Sequence, residues 1–201
     1  MAPCKAAIFD LGGVLIHWDP RLLYRELLPT EEVLEEFLST VCTREWNARQ
    51  DAGRPLDEGI SELVARFPDQ AALIEAWRDG VGEMVLPIHD SIELLRELRE
   101  RDIPLYILSN WGTDEFETIR GLFPFLEWFR GILISGSVGI LKPDPRIFGH
   151  LAREYGLDPG KAAFIDDSPT NVEVAGELGF KSVLFSSPAD LREELARLGL
   201  L

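Results

Sequence analysis

Five short apolar runs recur along this chain, and their spacing limits the possible folds more than any other feature of the sequence. Runs that are apolar almost throughout are typical of parallel strands covered by helices on both faces. The runs are Ala6–Phe9, Ile103–Leu108, Gly131–Ile134, Ala162–Ile165 and Ser182–Phe185. Predicted helix starts lie between these runs at the capping box Asp90–Glu93, at Asp144-Pro145 and at Ser168-Pro169, and a further one, Ser187-Pro188, follows the last run. This order predicts an α/β fold with a Rossmann-like parallel sheet flanked by helices.

The region after the first run has a helical pattern instead. Helices are predicted over Arg21–Leu28, Glu31–Thr43, Asp57–Phe67 and Gln70–Met84, with a turn between helices at Glu45–Pro55. Residues 19–86 hold 15 acids and 7 bases, and so carry over half of the net charge of −15. We therefore expect an α/β core domain formed by residues 1–19 and 87–201. Residues 20–86 are expected to form a small all-helical cap inserted after the first strand, over a site at the strand ends.

Composition excludes several classes of function. The 201 residues include 35 acids and 20 bases, without a basic cluster, which argues against binding nucleic acid or an anionic membrane surface. Cys4 and Cys42 lack the spacing of a metal site and are expected to be free thiols. The start of the chain lacks the pattern of a signal peptide and no apolar run approaches ~18 residues, so we expect a cytoplasmic protein whose partner is a small-molecule substrate.

Polar residues stand where the predicted strands end. Asp10 follows the first run, Ser109-Asn110 the second and Asp166-Asp167 the fourth, while Lys142 lies in a loop after the third. Open parallel sheets bind ligands beyond the carboxyl ends of their strands. These side chains are therefore expected to converge on one site.

Four segments together resemble the motifs of the haloacid dehalogenase-like hydrolase superfamily. They are Phe9-Asp10-Leu11-Gly12-Gly13-Val14, Leu108-Ser109-Asn110, Lys142-Pro143-Asp144-Pro145 and Phe164-Ile165-Asp166-Asp167-Ser168. The likeness covers nearly the whole chain, and the helical insertion is similar to the small helical cap of that superfamily. The combination is specific for the superfamily and says little about the substrate.

The resemblance implies a role for each polar position. Asp10 would be the nucleophile that forms a covalent aspartyl intermediate, and Lys142 would bind the phosphoryl oxygens and offset charge in the transition state. Asp10, Asp167 and the backbone carbonyl of Gly12 would hold Mg²⁺, with Asp166 assisting through water.

Further residues are expected to bind the phosphate or the substrate. The resemblance places Ser109, Asn110 and the backbone N–H groups of Leu11 and Gly12 against the phosphate. Trp111 directly follows Asn110 in the chain and is expected near the mouth of the site. Trp46, Arg49 and Arg54 in the insertion are additional candidates for contacting the substrate, with packing in a hydrophobic core as the competing interpretation of each tryptophan.

One position departs from the pattern of the superfamily's phosphatases. Most of them carry a second aspartate two residues after the nucleophile, which acts as general acid and base, and this chain has Gly12 there. General acid–base catalysis typically contributes ~10²–10⁴ in rate. His17 and Asp19 are candidate substitutes, each with a simpler interpretation as a surface histidine and a helix-capping aspartate.

Three functions remain open from the sequence. The favoured one is a Mg²⁺-dependent phosphomonoester hydrolase that acts on a small phosphorylated metabolite, such as a sugar phosphate. A 2-haloacid dehalogenase would use the same nucleophile without metal, and its halide would leave without a proton. A binding or regulatory protein that has lost catalysis is the third. The Asp166-Asp167 pair favours the first, because three converging carboxylates repel one another unless a cation joins them.

Overall fold

A five-stranded sheet, parallel throughout, lies at the centre of the computed structural model, which describes residues 4–201. The expectation for the start of the chain falls partly on residues 1–3, outside the described residues. The strands of the sheet are β1 (Ala6–Phe9), β4 (Leu105–Ser109), β5 (Gly131–Ile134), β6 (Ala162–Asp166) and β7 (Lys181–Leu184). Their order is β5-β4-β1-β6-β7, so that β1 is the central strand. The predicted α/β class is confirmed.

Helices cover both faces of this sheet. They are α6 (His89–Glu100), α7 (Thr113–Arg120), α8 (Ser135–Val138), α9 (Pro145–Glu154), α10 (Pro169–Glu177) and α11 (Pro188–Arg197). Alternate residues of β1 belong to two different hydrophobic clusters, because successive side chains of a strand point to opposite faces. Ala7 and Phe9 pack with α6, α7 and α11, whereas Ala6 and Ile8 pack with α9 and α10. Burial on both faces explains why the run is apolar throughout.

The helical insertion, residues 20–86, contains five α-helices among the described residues. They are α1 (Arg21–Leu27), α2 (Glu31–Thr40), α3 (Arg44–Asp51), α4 (Leu56–Arg66) and α5 (Ala71–Asp79). Their buried faces form a separate hydrophobic cluster around Tyr24, Trp46 and Trp77. Short 3₁₀ turns span Pro68–Gln70 and Val81–Met84, so the helix predicted over Gln70–Met84 is interrupted near Gly80.

A two-stranded antiparallel ribbon joins the insertion to the sheet. It pairs β2 (Ile16–Trp18) with β3 (Val85–Pro87), which brings both ends of the insertion together. The sequence analysis did not predict it, because each strand has three residues and its partner is nearly 70 positions away. Trp18 packs both against the cluster of the insertion and against a cluster of the sheet.

The predicted turn at Glu45–Pro55 is wrong over most of its length. Residues 44–51 form α3, which begins after Thr43, whose hydroxyl accepts a hydrogen bond from the Trp46 backbone N–H at 3.1 Å. Trp46 and Gln50 lie one turn apart on the buried face of this helix. Gly53, with φ of +99°, then turns the chain toward α4.

The predicted helix starts fare differently. Asp144 caps α9 and Ser187 caps α11, each accepting a backbone N–H from the first turn of its helix. The capping box expected at Asp90 is wrong, because α6 already begins at His89 and Asp90 lies in its first turn. Ser168 precedes α10 as expected, but no side-chain cap bond forms there.

Two further observations concern the cysteines and the hydropathy of the helices. Cys4 and Cys42 are both free and buried, in different hydrophobic clusters. Within residues 4–201, none of the helices has the length and apolar character needed to cross a bilayer.

Candidate active site

The carboxyl end of β1 places Asp10 in the middle of the sheet edge. The Asp10 backbone N–H donates to the carbonyl of Ile165 in β6 at 2.8 Å, which continues the strand pairing to this residue. The Asp10 Oδ1 accepts the Leu11 backbone N–H at 2.7 Å. This N–H, predicted to bind phosphate, therefore points at the carboxylate of Asp10 in this structure. The contact fixes the orientation of the carboxyl group.

Among the described residues, Lys142 has the only side-chain ammonium that lies at this edge of the sheet. Its Nζ lies 2.9 Å from Asp10 Oδ2 and 2.6 Å from Asp166 Oδ2. The Lys142 side chain is 1% exposed, that of Asp166 0% and that of Asp10 12%. One buried cation therefore bridges two carboxylates that come from neighbouring strands. Removing one member of such a buried set leaves the others uncompensated.

The Asn110 side chain holds the backbone of Lys142. Its Oδ1 accepts the Lys142 backbone N–H at 2.8 Å, and its Nδ2 donates to the Lys142 carbonyl at 2.9 Å. Both polar ends of the amide are thus engaged by the loop that carries the lysine. Asn110 positions Lys142 in this structure, and its expected contact with phosphate stays a prediction.

Two hydrogen-bond donors that follow Asp166 in the chain fix its carboxylate. Its Oδ1 accepts the Ser168 backbone N–H at 2.8 Å and the Asn171 Nδ2 at 2.9 Å. Sequence analysis missed Asn171, which lies in the first turn of α10. The available signal was an asparagine five residues after an aspartate at a strand end, which is too common to single out.

Asp10, Asp166 and Asp167 come together as predicted. Each offers a carboxylate oxygen, and these oxygens all lie within 4.8 Å of one another. Gly13 has φ of +75°, and a Cβ added there would lie 2.2 Å from Asp167 Oδ2, so this glycine provides both the turn and the space for the carboxylate. An all-oxygen set of carboxylates is the donor chemistry that Mg²⁺ prefers. The residues present therefore fit such an ion.

Electrostatics at this cluster disfavour three bare carboxylates. Burial raises the pKa of Asp10 to about 6, the charge of Asp166 adds to the rise, and the Lys142 ammonium opposes it. A hydrogen bond from the Ser109 hydroxyl also lowers the pKa of Asp10. Burial and the neighbouring Asp166 raise the pKa of Asp167 in the same direction. A bound divalent cation would return these groups to their ionised forms.

A cavity of about 190 Å³ opens from Asp10 toward the insertion. The sheet domain and β2 contribute Asp10, Gly12, Trp18, Ser109, Asn110, Trp111 and Glu115, and α3 contributes Asn47 and Asp51. An outer cleft of about 490 Å³ lies against it and is also lined by Gly12, Asn47 and Asp51, together with Asp167, His17 and Arg44. The insertion thus forms one wall of the space in front of the nucleophile candidate. Sequence analysis missed Asn47, Asp51 and Glu115.

Gly12 lines this cavity without a side chain. Its φ lies outside the left-handed range, and a Cβ added there would meet only Trp111 Cζ3, at 3.7 Å. The turn at Gly12 is therefore compatible with a side chain, unlike the turn at Gly13. The two adjacent glycines have different structural requirements.

Other residues singled out in the sequence lie elsewhere. Trp46 is buried in the cluster of the insertion, where its Nε1 donates to the Gly59 carbonyl at 3.0 Å. Arg49 and Arg54 pair with Glu62 on the surface of the insertion. Trp111, in contrast, lines the cavity as expected.

A comparison with protein-family models shows the family to which the chain belongs. A model described as haloacid dehalogenase-like hydrolase matches residues 4–179. The chain belongs to this family. The resemblance seen in the four motifs is thereby confirmed, and the haloacid dehalogenase-like hydrolase fold accounts for the order of the strands and for the polar residues at their ends.

Several curated relatives of this haloacid dehalogenase-like hydrolase carry the names of phosphatases. The sesquiterpene phosphatase astK of Aspergillus oryzae is 26% identical, over 87% of this chain and 86% of the relative. The D-ribitol-5-phosphate phosphatase of Bacteroides thetaiotaomicron is 24% identical, over 95% of this chain and 96% of the relative. A solved haloacid dehalogenase family enzyme from the same bacterium, in a magnesium complex, has a TM-score of 0.71. That structure is 25% identical and aligns with 92% of this chain and 94% of its own.

Proposed function

We propose that this hydrolase is a Mg²⁺-dependent phosphomonoester hydrolase that works through an aspartyl-phosphate intermediate. The observation that carries the proposal is the charge balance of the cluster. Asp10, Asp166 and Asp167 bring three carboxylates within 4.8 Å, and among the described residues Lys142 is the one ammonium at the cluster, in contact with Asp10 and Asp166. A divalent cation compensates the remaining charge. Phosphatase-named relatives support the same reaction class.

The residues of the chain divide the chemistry between them. Asp10 Oδ2, held beside Lys142, is the oxygen that attacks phosphorus. The Lys142 ammonium stays in place and offsets the charge that develops on the phosphoryl oxygens. Asp10, Asp167 and the Gly12 carbonyl would hold Mg²⁺, with Asp166 assisting through water. When bound, the ion supplies electrostatic stabilisation of the phosphoryl group.

The two alternatives fit the cluster less well. A 2-haloacid dehalogenase needs one carboxylate nucleophile and no metal, which leaves the proximity of Asp166 and Asp167 without a use. A binding protein without catalysis would have no need for the contact between Asp10 and a fully buried lysine, which is costly to desolvate. Phosphoryl transfer gives a role to each polar residue of the cluster, which supports the proposal.

The cavity favours a small substrate. A volume of about 190 Å³ in front of Asp10 suits a leaving group of sugar or polyol size. Trp18 and Trp111 offer apolar faces, and Asn47, Asp51 and Glu115 offer hydrogen-bond partners. We therefore place the substrate among small phosphorylated metabolites, such as sugar or polyol phosphates.

A substrate panel with and without metal tests the proposed function. The wild-type protein is assayed with phosphomonoesters and 2-chloropropionate, each in Mg²⁺ and in excess chelator. We expect phosphate release in Mg²⁺ alone, its loss in Asp10→Asn, and unchanged activity in Asp69→Asn, which alters an exposed aspartate of the insertion. Phosphate release undiminished in chelator, or halide release instead, would overturn the proposal.

A further inference from the structure

The reaction proposed above needs a proton at the leaving oxygen. An alcohol leaves poorly as an alkoxide, and a positioned acid typically contributes ~10²–10⁴ in rate. Lys142 is committed to two carboxylates, and Gly12 has no side chain. The donor therefore has to come from another wall of the cavity.

We propose that Asp51 of the helical insertion is the general acid and base of this hydrolase. The inference rests on the proposed function and deepens it. Asp51 is the last residue of α3 and lines both the inner cavity, with Asp10 and Gly12, and the outer cleft, with Asp167. It thus belongs to the wall that the insertion contributes to the cavity, in the same space as Asp10.

Contacts from both parts of the chain fix Asp51. Its Oδ2 accepts the Asn47 Nδ2 at 3.3 Å, and the Gly112 backbone N–H also donates to its carboxyl group. The Ser135 hydroxyl donates to its backbone carbonyl at 2.6 Å. Gly112 and Ser135 follow the strands of the sheet, so Asp51 is held in position relative to Asp10. A catalytic acid requires such fixed geometry.

The surroundings of Asp51 allow its carboxyl group both to donate and to accept a proton near neutral pH. Burial raises its pKa to about 7, the charge of Glu115 in α7 adds to the rise, and the Gly112 N–H opposes it. Glu115 is itself buried, with its pKa raised by burial and its Oε1 accepting Trp77 Nε1 at 2.7 Å. The other charged groups facing these two cavities are Asp10, Asp167, His17 and Arg44.

The proton balance of the two steps is simple. As Asp10 bonds to phosphorus, the bond from phosphorus to the leaving oxygen breaks, and that oxygen takes the Asp51 proton and leaves as an alcohol. In the second step the Asp51 carboxylate accepts a proton from water while the water oxygen bonds to phosphorus. The bond from Asp10 to phosphorus then breaks, which releases inorganic phosphate and returns both aspartates to their starting forms.

The two substitutes considered from the sequence are placed less well. Among residues 4–201, the lining of the inner cavity includes Asp51 but neither His17 nor Asp19. His17 is exposed and borders the outer cleft. Asp19 accepts the Arg21 backbone N–H at 3.0 Å and lines a different cavity, so its simpler interpretation at the start of α1 is the better one.

Leaving-group dependence tests this role directly. The probes are p-nitrophenyl phosphate, phenyl phosphate and benzyl phosphate, which are close in shape and rise in leaving-group basicity. We expect wild type to lose little kcat/KM along the series. Asp51→Asn should stay within about threefold of wild type on p-nitrophenyl phosphate and fall by ~10²–10⁴ on benzyl phosphate. An equal loss on all three probes, as expected of a purely structural residue, would overturn the proposal, and so would full activity on benzyl phosphate.

Two further measurements keep the test decisive. The double variant Gly12→Asp/Asp51→Asn should regain activity on benzyl phosphate, because the turn at Gly12 accommodates a side chain. A steep fall along the series in wild type, which needs no variant, would overturn the proposal. The proposed function is judged separately, by hydrolysis of p-nitrophenyl phosphate in wild type and its loss in Asp10→Asn. If wild type releases phosphate from no phosphomonoester of the panel described above, the proposed function fails and this inference fails with it.

Discussion

Replacing Asp51 by Asn should stabilise the metal-free protein at alkaline pH. The carboxyl group holds its proton to higher pH in the folded protein than in the unfolded chain, because it is buried beside Glu115. Its contribution to stability is therefore fully present below about pH 4 and is lost as the pH rises through about 7. The interval between 3.8 and about 7 corresponds to about 4 kcal/mol of unfolding free energy. Asparagine has no such ionisation and avoids the loss.

The assay is urea unfolding in excess chelator at pH 4 and pH 8. The difference between Asp51→Asn and wild type is expected to be small at pH 4 and to grow by about 2–4 kcal/mol at pH 8, since Glu115 titrates with it. Asp69→Asn, an exposed aspartate of the same insertion, should show no such growth. A difference that is equal at both pH values would refute the reasoning, because it would show that the Asp51 carboxyl is unperturbed. A stabilised variant that fails on benzyl phosphate would mark a residue kept for chemistry rather than for the fold.

Three other substitutions probe the sheet edge. Gly13→Ala should weaken Mg²⁺ binding at least tenfold by calorimetry, because its Cβ would lie 2.2 Å from Asp167 Oδ2. Gly156→Ala is the control, with φ of +63° and open space around its Cβ, and should cost about 1 kcal/mol of stability without touching metal affinity. Lys142→Met should remove most turnover and destabilise the chelated protein at pH 7.5 by about 3–5 kcal/mol in urea, and a near-normal kcat/KM would return this lysine to a structural role. Asn110→Ala should cost about 1–3 kcal/mol and lower kcat on p-nitrophenyl phosphate, because two hydrogen bonds to the Lys142 backbone are lost; unchanged kcat would contradict its positioning role.

The sheet was predictable because its signals are local. Each buried strand is apolar on both faces, and each polar residue at its end follows directly in the chain, so Asp10, Ser109 and Asp166 could be assigned to one edge. Parallel pairing then brings their carboxyl ends together whatever the loops do. Lys142 could be assigned to the same edge because it lies in a loop that follows the third apolar run.

The rest of the site depends on contacts that no local pattern encodes. Asn47 and Asp51 reach the cavity because α3 docks over the sheet edge, and the sequence shows only two polar residues one turn apart on a helix. That helix was missed because the stretch is rich in polar residues, and what fixes it is a threonine cap and the burial of Trp46 against the insertion. The partners of Asn110 are separated from it by 32 positions. These residues were not predicted because their partners are far away in the sequence, although their side chains are chemically suited to the site.

The separate hydrophobic cluster of the insertion bears on how new activities could be engineered. Core substitutions around Tyr24 act on packing that the five-stranded sheet does not share, while Trp18 and the hydrogen bond from Trp77 to Glu115 link the insertion to the sheet domain. A mutant library at the cavity-facing residues of α3 that keeps Asp51 can therefore reshape the leaving-group wall while Asp10 and Lys142 keep their own contacts. Selection for a new substrate would then vary helices that have a hydrophobic cluster of their own. The catalytic residues at the edge of the sheet would stay unchanged.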